Sequence, residues 1–392
     1  MPGSRFAAAG SVVAMPAELT YLDHAASTPM RGEAIEAMLP LLDQHFANPN
    51  GSHRFARQAR AALDDARDVV ADVVGCRPGD IVFTGGGTEA DNTAIIGTTA
   101  RHGGTAVCSA AEHHAVLHAV EHVGGRVVGV DDAGVIDLDQ LAAAIDADVS
   151  VVSVMAVNNE VGSISDVAAA AEVARRRHAG VRVHSDAVQA ACWVDLRDIT
   201  PHVDLLSLSG HKFGGPKGIG VLVERTAGCF APLLIGGGQE RERRSGTQNV
   251  AGAVGLAEAL RLTDLERHGD NARIGALRDQ LVDRLVAGVA DVSETVPRDR
   301  KVAGSAHVCI ADIENEALLY LLDEAGVCAS AASACASGAM EPSHVLSAMC
   351  VDRRWSSGAL RLTLGHGTTQ AHIDRAVDVL IAAIERIRGF GR

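Results

Sequence analysis

The chain has 392 residues and a formal net charge of −14 at pH 7, with 47% hydrophobic residues. The acidic balance argues against nucleic acid or an anionic membrane surface as the main partner and favours a small-molecule substrate. The eight cysteines are spread over positions 76 to 350, unlike those of a secreted disulfide framework, and they include no CxxC pair of the kind found in zinc ribbons and thioredoxin sites. We therefore expect a cytoplasmic protein with reduced thiols.

We expect residues 1–20 to form a flexible tail. Their apolar run is short, is broken by Gly10 and Ser11, and follows no basic region, which disfavours a secretory signal peptide. Met15 is a second candidate for the start of translation. No later stretch reaches the roughly 18 uninterrupted apolar residues that a membrane span needs.

Short β-branched runs alternate with helical patterns through the middle of the chain. We predict strands at 81–84, 106–108, 126–130, 151–155, 181–184 and 205–208, with helices at 91–100, 114–123, 139–145 and 167–178. This alternation predicts an α/β domain with a largely parallel sheet. From about residue 268, amphipathic helices at 274–287 and 371–387 flank a few strands and predict a smaller α+β lobe.

Polar residues follow five of these strands where each strand ends. In open α/β sheets, ligands bind outside the carboxyl ends of the strands. The glycine turn at 85–87 leads into a helix start that can hold a phosphate, although alone it is more simply a glycine-rich connection with a cap. The other four strand ends carry Glu112-His113-His114, Asn158-Asn159-Glu160, Ser185-Asp186-Ala187-Val188-Gln189 and Ser209-Gly210-His211-Lys212.

Lysine is rare in this chain, since only three of the 35 basic residues are lysines. Two of them, Lys212 and Lys217, lie in one glycine-rich segment. An ε-amine can lose its proton when desolvated and form a Schiff base, whereas a guanidinium stays charged. Lys212 follows a predicted strand, while Lys217 lies in the turn after Pro216. Together with a phosphate cradle and an aspartate for a pyridinium nitrogen, Lys212 predicts a site for pyridoxal 5'-phosphate.

A series of motifs also occurs in order along the chain. They are Tyr21-Leu22-Asp23-His24-Ala25-Ala26, Asn48-Pro49, Gly87-Thr88-Glu89-Ala90-Asp91-Asn92, Glu112-His113, Val157-Asn158-Asn159-Glu160-Val161-Gly162, His184-Ser185-Asp186-Ala187, Ser209-Gly210-His211-Lys212, Gly236-Gly237-Gly238-Gln239-Glu240, Arg244-Ser245-Gly246-Thr247, Ser333-Ala334-Cys335 and Leu360-Arg361. On these motifs the chain resembles the NifS/IscS type of cysteine desulfurase, in the class V branch of pyridoxal-phosphate enzymes, from Tyr21 to Ile387.

The resemblance implies the type I fold of pyridoxal-phosphate transferases. A large α/β domain over residues 31–267 would bind the cofactor on its mostly parallel sheet. Residues 21–30 and 268–392 would form the small α+β domain that carries the catalytic cysteine loop. The resemblance also implies an obligate homodimer.

Individual roles follow from the same resemblance. Lys212 would form the Schiff base, His113 would stack on the cofactor ring, and Asp186 would pair with the pyridinium nitrogen. The phenolic oxygen would be reached by Gln189, and substrate would face Asn159 and Arg361, whose guanidinium would bind the carboxylate in a bidentate manner. The remaining implied cofactor contacts are Gly87, Thr88, Ser209, Gly210 and His211, with Thr247 reaching the partner's phosphate.

The implied reaction removes sulfur from L-cysteine and releases L-alanine. The amine of Lys212 would take the Cα proton, and the thiolate of Cys335 would attack the substrate sulfur to leave an enzyme persulfide. An acceptor protein of unknown identity would then take the sulfur. Cys328 is the alternative nucleophile, but its apolar surroundings predict that it packs at a strand end. The one metal-related expectation is Cys335 as a transient iron–sulfur ligand in iron–sulfur cluster biogenesis.

Two other interpretations stay open. Another class V enzyme, such as an aminotransferase or a selenocysteine lyase, would keep the cofactor, although an aminotransferase needs no nucleophilic thiol. A non-catalytic relative could instead serve as a binding partner in a sulfur-transfer complex. The intact set of Lys212, Asp186, His113, Cys335 and Arg361 argues against that second interpretation.

Overall fold

The computed structural model describes residues 19–331, 335–336, 339–340 and 343–390. The described strands form one seven-stranded sheet, one three-stranded sheet and two two-stranded pairs. In chain order they are β1 (Thr20–Tyr21), β2 (Ile81–Thr84), β3 (Thr105–Ser109), β4 (Arg126–Val128), β5 (Val149–Ser153), β6 (Arg182–Asp186), β7 (Leu205–Ser209), β8 (Gly220–Glu224), β9 (Val292–Glu294), β10 (Ser305–Ile310), β11 (Val327–Cys328), β12 (Cys335–Ala336), β13 (Ala339–Met340) and β14 (Ala359–Thr363).

Helices flank these sheets along the described chain. They are α1 (Gly32–Asp43), α2 (Arg54–Val74), α3 (Gly87–Asn92), α4 (Thr98–His102), α5 (His114–His122), α6 (Leu138–Ala144), α7 (Val167–Arg177), α8 (Leu196–Ile199), α9 (Val250–Gly288), α10 (Asn315–Glu324), α11 (His344–Ala348), α12 (Arg353–Ser356) and α13 (Gln370–Phe390). None of the helices in the described ranges is long and apolar enough to cross a bilayer.

The large sheet has the strand order β2-β8-β7-β6-β5-β3-β4. β8 runs antiparallel to both of its neighbours, and the other pairings are parallel. The predicted largely parallel sheet is therefore confirmed. The sequence pattern identified six of the seven strands and missed β8, which follows the glycine-rich turn after Lys212.

Two predicted helices differ from the observed ones. The helix predicted at 91–100 begins at Gly87, because Gly86 (φ 151°) ends the turn, and it contains a π-helical turn at Thr93–Gly97. The helix predicted at 274–287 is the second half of α9, which has 39 residues. Most residues at its start, over 250–260, are buried, and α9 packs on α1 and α2, so this part lacks the one-sided apolar pattern of a surface helix.

Two apolar cores lie on either side of the middle of α9. The larger core joins the seven-stranded sheet to α1, α2, α7 and the start of α9. The smaller core joins the end of α9 to α13, β10 and β14, and it includes Leu22 from the N-terminal segment. Between Asp264 and Arg273 no residue of α9 is buried. The domain limits stay a prediction, and the predicted limit at 267/268 falls inside this continuous helix.

Candidate active site

One cavity lies at the carboxyl ends of β5, β6 and β7, where parallel strands end at the same edge. The described wall also includes residues from the N-terminal segment, from the start of α3 and from β14. Ten of the residues predicted from the sequence lie on this wall: Gly87, Thr88, His113, Asn159, Asp186, Gln189, Ser209, His211, Lys212 and Arg361. The structure therefore brings together side chains that are spread over most of the chain.

Three predicted residues are placed differently. Gly210 lies between two wall residues but does not line the cavity itself. Thr247 is exposed and is not on the wall of this cavity. The backbone of Cys335 belongs to β12, which pairs with β13, but its side chain lies outside the described part of the structure.

Lys212 lies in a single 3₁₀ turn, Gly210–Lys212, directly after β7. Its Nζ donates to the backbone oxygens of Ala25 at 2.5 Å and Ala26 at 3.1 Å. Burial and the positive charge of Arg361 lower the pKa of Lys212 to about 8. The amine is therefore unprotonated far more often than that of an ordinary lysine, which suits it to act as a nucleophile and a base.

Asp186 is the last residue of β6 and lies at the bottom of the cavity. Its Oδ1 accepts from the backbone N–H of Val188 at 2.9 Å. Burial raises the pKa of Asp186 to about 6, while the Val188 N–H and the charge of Lys212 act in the opposite direction. At neutral pH the carboxylate is ionised and can pair with a protonated ring nitrogen.

Two further buried acids, Asp91 and Glu112, lie close enough to Asp186 to interact with it electrostatically. Burial and the charge of Asp186 raise the pKa of Glu112 to about 8, and they raise that of Asp91 well above its ordinary value. Oδ1 of Asp91 and Oε2 of Glu112 have no hydrogen-bond partner among the described residues. Of these three acids, the pKa of Asp186 is raised only to about 6, so Asp186 is suited to carry the negative charge of the group.

His184 links the strands beneath these acids. Its Nδ1 lies 2.8 Å from Oγ of Ser153, and its Nε2 lies 2.9 Å from Oγ of Ser207. Burial lowers the pKa of His184 to about 3, so the imidazole is neutral. It thereby holds β5, β6 and β7 in register below the cavity without adding charge.

His113 caps the N-terminus of α5, and its Nδ1 accepts from the backbone N–H of Ala115 at 3.1 Å. Burial and the charge of Lys212 lower the pKa of His113 to about 4. The ring is therefore neutral at pH 7, with its second nitrogen free to carry the proton. A neutral imidazole on the cavity wall suits stacking on a heteroaromatic ring.

The start of α3 contributes Gly87 and Thr88 to the cavity wall. A Cβ on Gly87 would come within 2.8 Å of Val188 Cγ2 and 3.3 Å of Ser209 Cβ, so only glycine fits this close approach. The first N–H groups of a helix have no acceptor within the helix. Together with Thr88, Ser209 and His211 they provide the donors that a phosphate group requires.

Arg361 lies on β14, with a side chain only 7% exposed. Its Nη1 donates to the backbone oxygen of Asn159 at 2.9 Å, and its Nη2 donates to Oδ1 of Asp23 at 2.9 Å. Nε of Arg361 and Oδ1 of Asn159 are buried without a hydrogen-bond partner among the described residues. Buried polar groups are rarely left unpaired, so these atoms are suited to a polar ligand.

These observations fit pyridoxal phosphate. A glycine cradle, an amine with a lowered pKa, a buried carboxylate and two unpaired polar atoms lie on one wall. Lys212, Asp186, His113, Gln189 and the start of α3 are the groups suited to hold it. Gln189 donates from Nε2 to the backbone oxygen of Ala25 at 2.8 Å, which keeps its side chain on the wall.

Six described cysteines have a thiol pKa that burial raises: Cys76, Cys108, Cys192, Cys229, Cys309 and Cys328. Cys328 ends β11 as predicted and is half-buried, and burial together with Asp323 and Asp23 raises its pKa. A thiol with a raised pKa is less often the nucleophilic thiolate.

Sequence reasoning missed two acids at this site, Asp23 and Asp91. Both belong to motifs that were recognised, so the motifs themselves were the available signal. The contact of Asp23 with Arg361 joins residues 338 positions apart, and no local pattern predicts it. Burial of Asp91 (1% exposed) likewise depends on the packing of the finished sheet.

Comparison with known proteins agrees with this geometry. A family model described as Aminotransferase class-V matches residues 20–376. A cysteine desulfurase IscS of Dictyoglomus turgidum is 39% identical over 376 residues, which cover 94% of this chain and 95% of that protein. An IscS-like cysteine desulfurase of Mycobacterium tuberculosis is 42% identical over 385 residues, which cover 94% of this chain and 97% of that protein.

Solved structures give the same result for the fold. A NifS-like protein has a TM-score of 0.87 and 32% identity, covering 94% of this chain and 100% of its own. SspA in complex with cysteine has a TM-score of 0.75 and 30% identity, covering 88% of this chain and 98% of its own. The predicted type I fold is therefore confirmed. The chain belongs to the class-V aminotransferase family and is a pyridoxal-phosphate-dependent enzyme.

Proposed function

We propose that this chain is a cysteine desulfurase that removes sulfur from L-cysteine, releases L-alanine and holds the sulfur as a persulfide on Cys335. The observation that carries the proposal is the shared cavity of Lys212, Asp186 and Arg361. The relatives named cysteine desulfurase, and the similar structure named as a complex with cysteine, support the same substrate.

Each wall residue has a distinct task in this proposal. Pyridoxal phosphate, when bound, supplies an aldehyde that captures an amine and a ring that accepts the electrons released at Cα. The carboxylate of Asp186 would stabilise a positive charge on the ring nitrogen. The neutral imidazole of His113 would stack on the ring. Arg361 binds the substrate carboxylate, which orients the Cα–H bond toward the amine of Lys212 for proton transfer.

The sulfur transfer needs no external oxidant. The Cys335 thiolate attacks the substrate sulfur, so that a sulfur–sulfur bond forms while the carbon–sulfur bond breaks. The electron pair of the broken bond stays with the substrate carbon, which is reduced and later takes up a proton to become the methyl group of alanine. Cysteine and the enzyme thiol thus become alanine and an enzyme persulfide. The transferred sulfur is oxidised in this exchange, and the substrate carbon is reduced.

The replacement Cys335→Ser tests this assignment directly. We expect the cofactor to bind and its absorbance to respond to L-cysteine as in the wild type, while persulfide and sulfide formation stop because the nucleophile is lost. Cys328→Ser is the matched control, seven positions earlier in the chain, and should keep full activity. Undiminished alanine and sulfide release by Cys335→Ser would contradict the proposal, as would loss of activity in the control alone.

We also propose that the enzyme is a homodimer in which Thr247 completes the partner's phosphate site. Four large apolar side chains between residues 39 and 55 are exposed: Leu39, Leu42, Phe46 and Phe55, between 55% and 76%. In the same stretch, Asn50 donates a hydrogen bond at 3.4 Å to Gln248, the residue after Thr247. An exposed apolar surface of this kind is typical of an interface.

Sedimentation at micromolar concentration should give twice the mass of the chain, and Thr247→Ala should weaken cofactor binding without changing that mass. Thr226→Ala is a control, because Thr226 contacts Asp204 rather than this surface. A monomer with full activity would rule out the dimer.

The persulfide also requires a nucleophilic acceptor protein. We place both proteins in the cytoplasm.

A further inference from the structure

Glu160 is a buried carboxylate beside the cavity, with a side chain only 2% exposed. Its two oxygens face the two residues at the start of α11. Oγ of Ser343 donates to Oε2 of Glu160 at 2.5 Å, and Nδ1 of His344 lies 3.8 Å from Oε1. Nε2 of His344 lies 2.9 Å from the backbone oxygen of Glu112. The chain is thus attached at the first two residues described after the Cys335 segment (residues 331–342).

The turn that carries Glu160 also contributes to the part of the cavity around Asn159 and Arg361, which we call the substrate end. Asn158 stabilises this turn, because its side-chain oxygen accepts from the N–H groups of Glu160 and Val161 at 2.9 and 3.0 Å. The intervening residue, Asn159, lines the cavity and accepts a hydrogen bond from Arg361 through its backbone oxygen. One turn therefore connects the substrate-binding arginine to the start of α11.

The other end of the Cys335 segment is attached to Arg361 itself. Ser330 donates its backbone N–H to the oxygen of Arg361 at 3.1 Å and accepts from the N–H of Arg361 at 2.7 Å. The residues on both sides of the segment are therefore bound to the substrate end of the cavity. On one side the contact includes a pair of backbone hydrogen bonds, and on the other it is made by the side chain of Glu160 and the backbone oxygen of Glu112.

We propose that Glu160 is a positioning residue that fixes the C-terminal end of the Cys335 segment, through Ser343 and His344, relative to the bound substrate. The inference rests on the proposed desulfurase function and deepens it by naming the group that sets the position of the nucleophile. Glu160 is not on the cavity wall, so it acts through its neighbours. Attack of one sulfur on another depends on alignment, and a displacement of about 1 Å can slow such a step about 100-fold.

The surroundings of Glu160 raise its pKa on balance. Burial raises the pKa more than the hydrogen bond from Ser343 and the electrostatic influence of His344 and Arg361 lower it. The Ser343 hydroxyl also accepts from the N–H of Leu346 at 3.1 Å and so caps α11. Removing the hydroxyl leaves a buried carboxylate oxygen without its donor and loosens the start of the helix.

The test measures two steps separately in the holoenzyme. Stopped-flow absorbance of the bound cofactor reports L-cysteine binding, and alkylation with mass spectrometry reports persulfide on Cys335 in a single turnover. For Ser343→Ala and Glu160→Gln we expect an unchanged absorbance response and a persulfide rate that falls about 10- to 100-fold. Ser343→Thr keeps the hydroxyl and should restore the rate.

Asp352→Ala is the matched control, since it removes the cap of the next helix, α12, where Asp352 accepts from Arg354 N–H at 2.8 Å. We expect it to form persulfide at the wild-type rate. The proposal is overturned if both Glu160→Gln and Ser343→Ala behave like this control, or if they lose substrate binding and persulfide formation together. Failure of the wild type to form persulfide on Cys335 would instead refute the proposed function.

Discussion

The cofactor end and the substrate end of the cavity are built in different ways. At the cofactor end, Asp186 is the last residue of β6, Lys212 lies in the turn after β7 of the same sheet, and Gly87 begins the helix that follows β2. At the substrate end, Asp23, Asn159 and Arg361 come from three segments that meet only in the folded chain. The first end follows from the topology of one sheet, whereas the second depends on contacts between segments far apart in the chain.

Their electrostatics differ for the same reason. Deep burial at the cofactor end moves the pKa of each group toward the neutral form, down to about 8 for Lys212 and about 4 for His113. At the substrate end Arg361 forms an ion pair with Asp23 at 2.9 Å. The cofactor end is thus suited to proton transfer and the substrate end to binding an anion.

Replacing Lys212 by arginine should give the largest effect, because it keeps the positive charge and removes the amine. We expect turnover to fall roughly 10²- to 10⁴-fold. Borohydride reduction followed by intact mass measurement should show covalent cofactor in the wild type and none in Lys212→Arg.

Lys217→Arg, five residues along the same turn, provides the control for that replacement. Lys217 is exposed, so this variant should keep both covalent cofactor and turnover. Covalent cofactor in Lys212→Arg, or its loss in Lys217→Arg, would reverse the assignment of the two lysines.

Arg361→Lys should give the next largest effect and tests the substrate end. A lysine cannot bind the carboxylate with two parallel hydrogen bonds, and losing a charged hydrogen bond costs about 1.5–3 kcal/mol, or roughly 10- to 100-fold in kcat/KM. The loss should appear mainly in KM for L-cysteine, with cofactor content unchanged.

Arg354→Lys controls for the chemical change itself, since Arg354 makes an exposed ion pair with Asp312 at 2.9 Å. It should have wild-type kinetics. If Arg361→Lys lost cofactor rather than affinity for L-cysteine, the two ends of the cavity would not be separable as described.

The smallest expected effect is the pH dependence of cofactor capture, which tests the lowered pKa of Lys212. Apoprotein should capture added pyridoxal phosphate faster as pH rises toward 8, because only the unprotonated amine is nucleophilic. Since the pKa of Lys212 is lowered to about 8, the unprotonated fraction falls about tenfold for each pH unit below that value. Capture rates between pH 6 and 9 measure this, with a simple alkylamine as reference. A rate that kept rising up to pH 10 would mean that burial does not lower this pKa.

The secondary structure of the large sheet was largely predictable from local pattern. Buried β-branched runs identified β2 to β7, and polar residues at their ends identified the cofactor end of the site. The pattern did not reveal that α9 is one helix of 39 residues, because most residues at its start, over 250–260, are buried and show no one-sided apolar pattern. It also did not reveal β8, whose antiparallel course depends on its two neighbours.

Sequence alone determined the chemistry of the cofactor end: the rarity of lysine, the strand ends and the family motifs selected Lys212, Asp186 and His113 before any distance was known. Each strand end and each motif consists of residues close together in the chain, so local sequence is enough to identify it. The tertiary structure decided which charges survive burial and which distant groups meet, namely Asp23 with Arg361 and Glu160 with Ser343. Such contacts join residues 183 and 338 positions apart, and only the folding of the whole chain brings them within hydrogen-bonding distance.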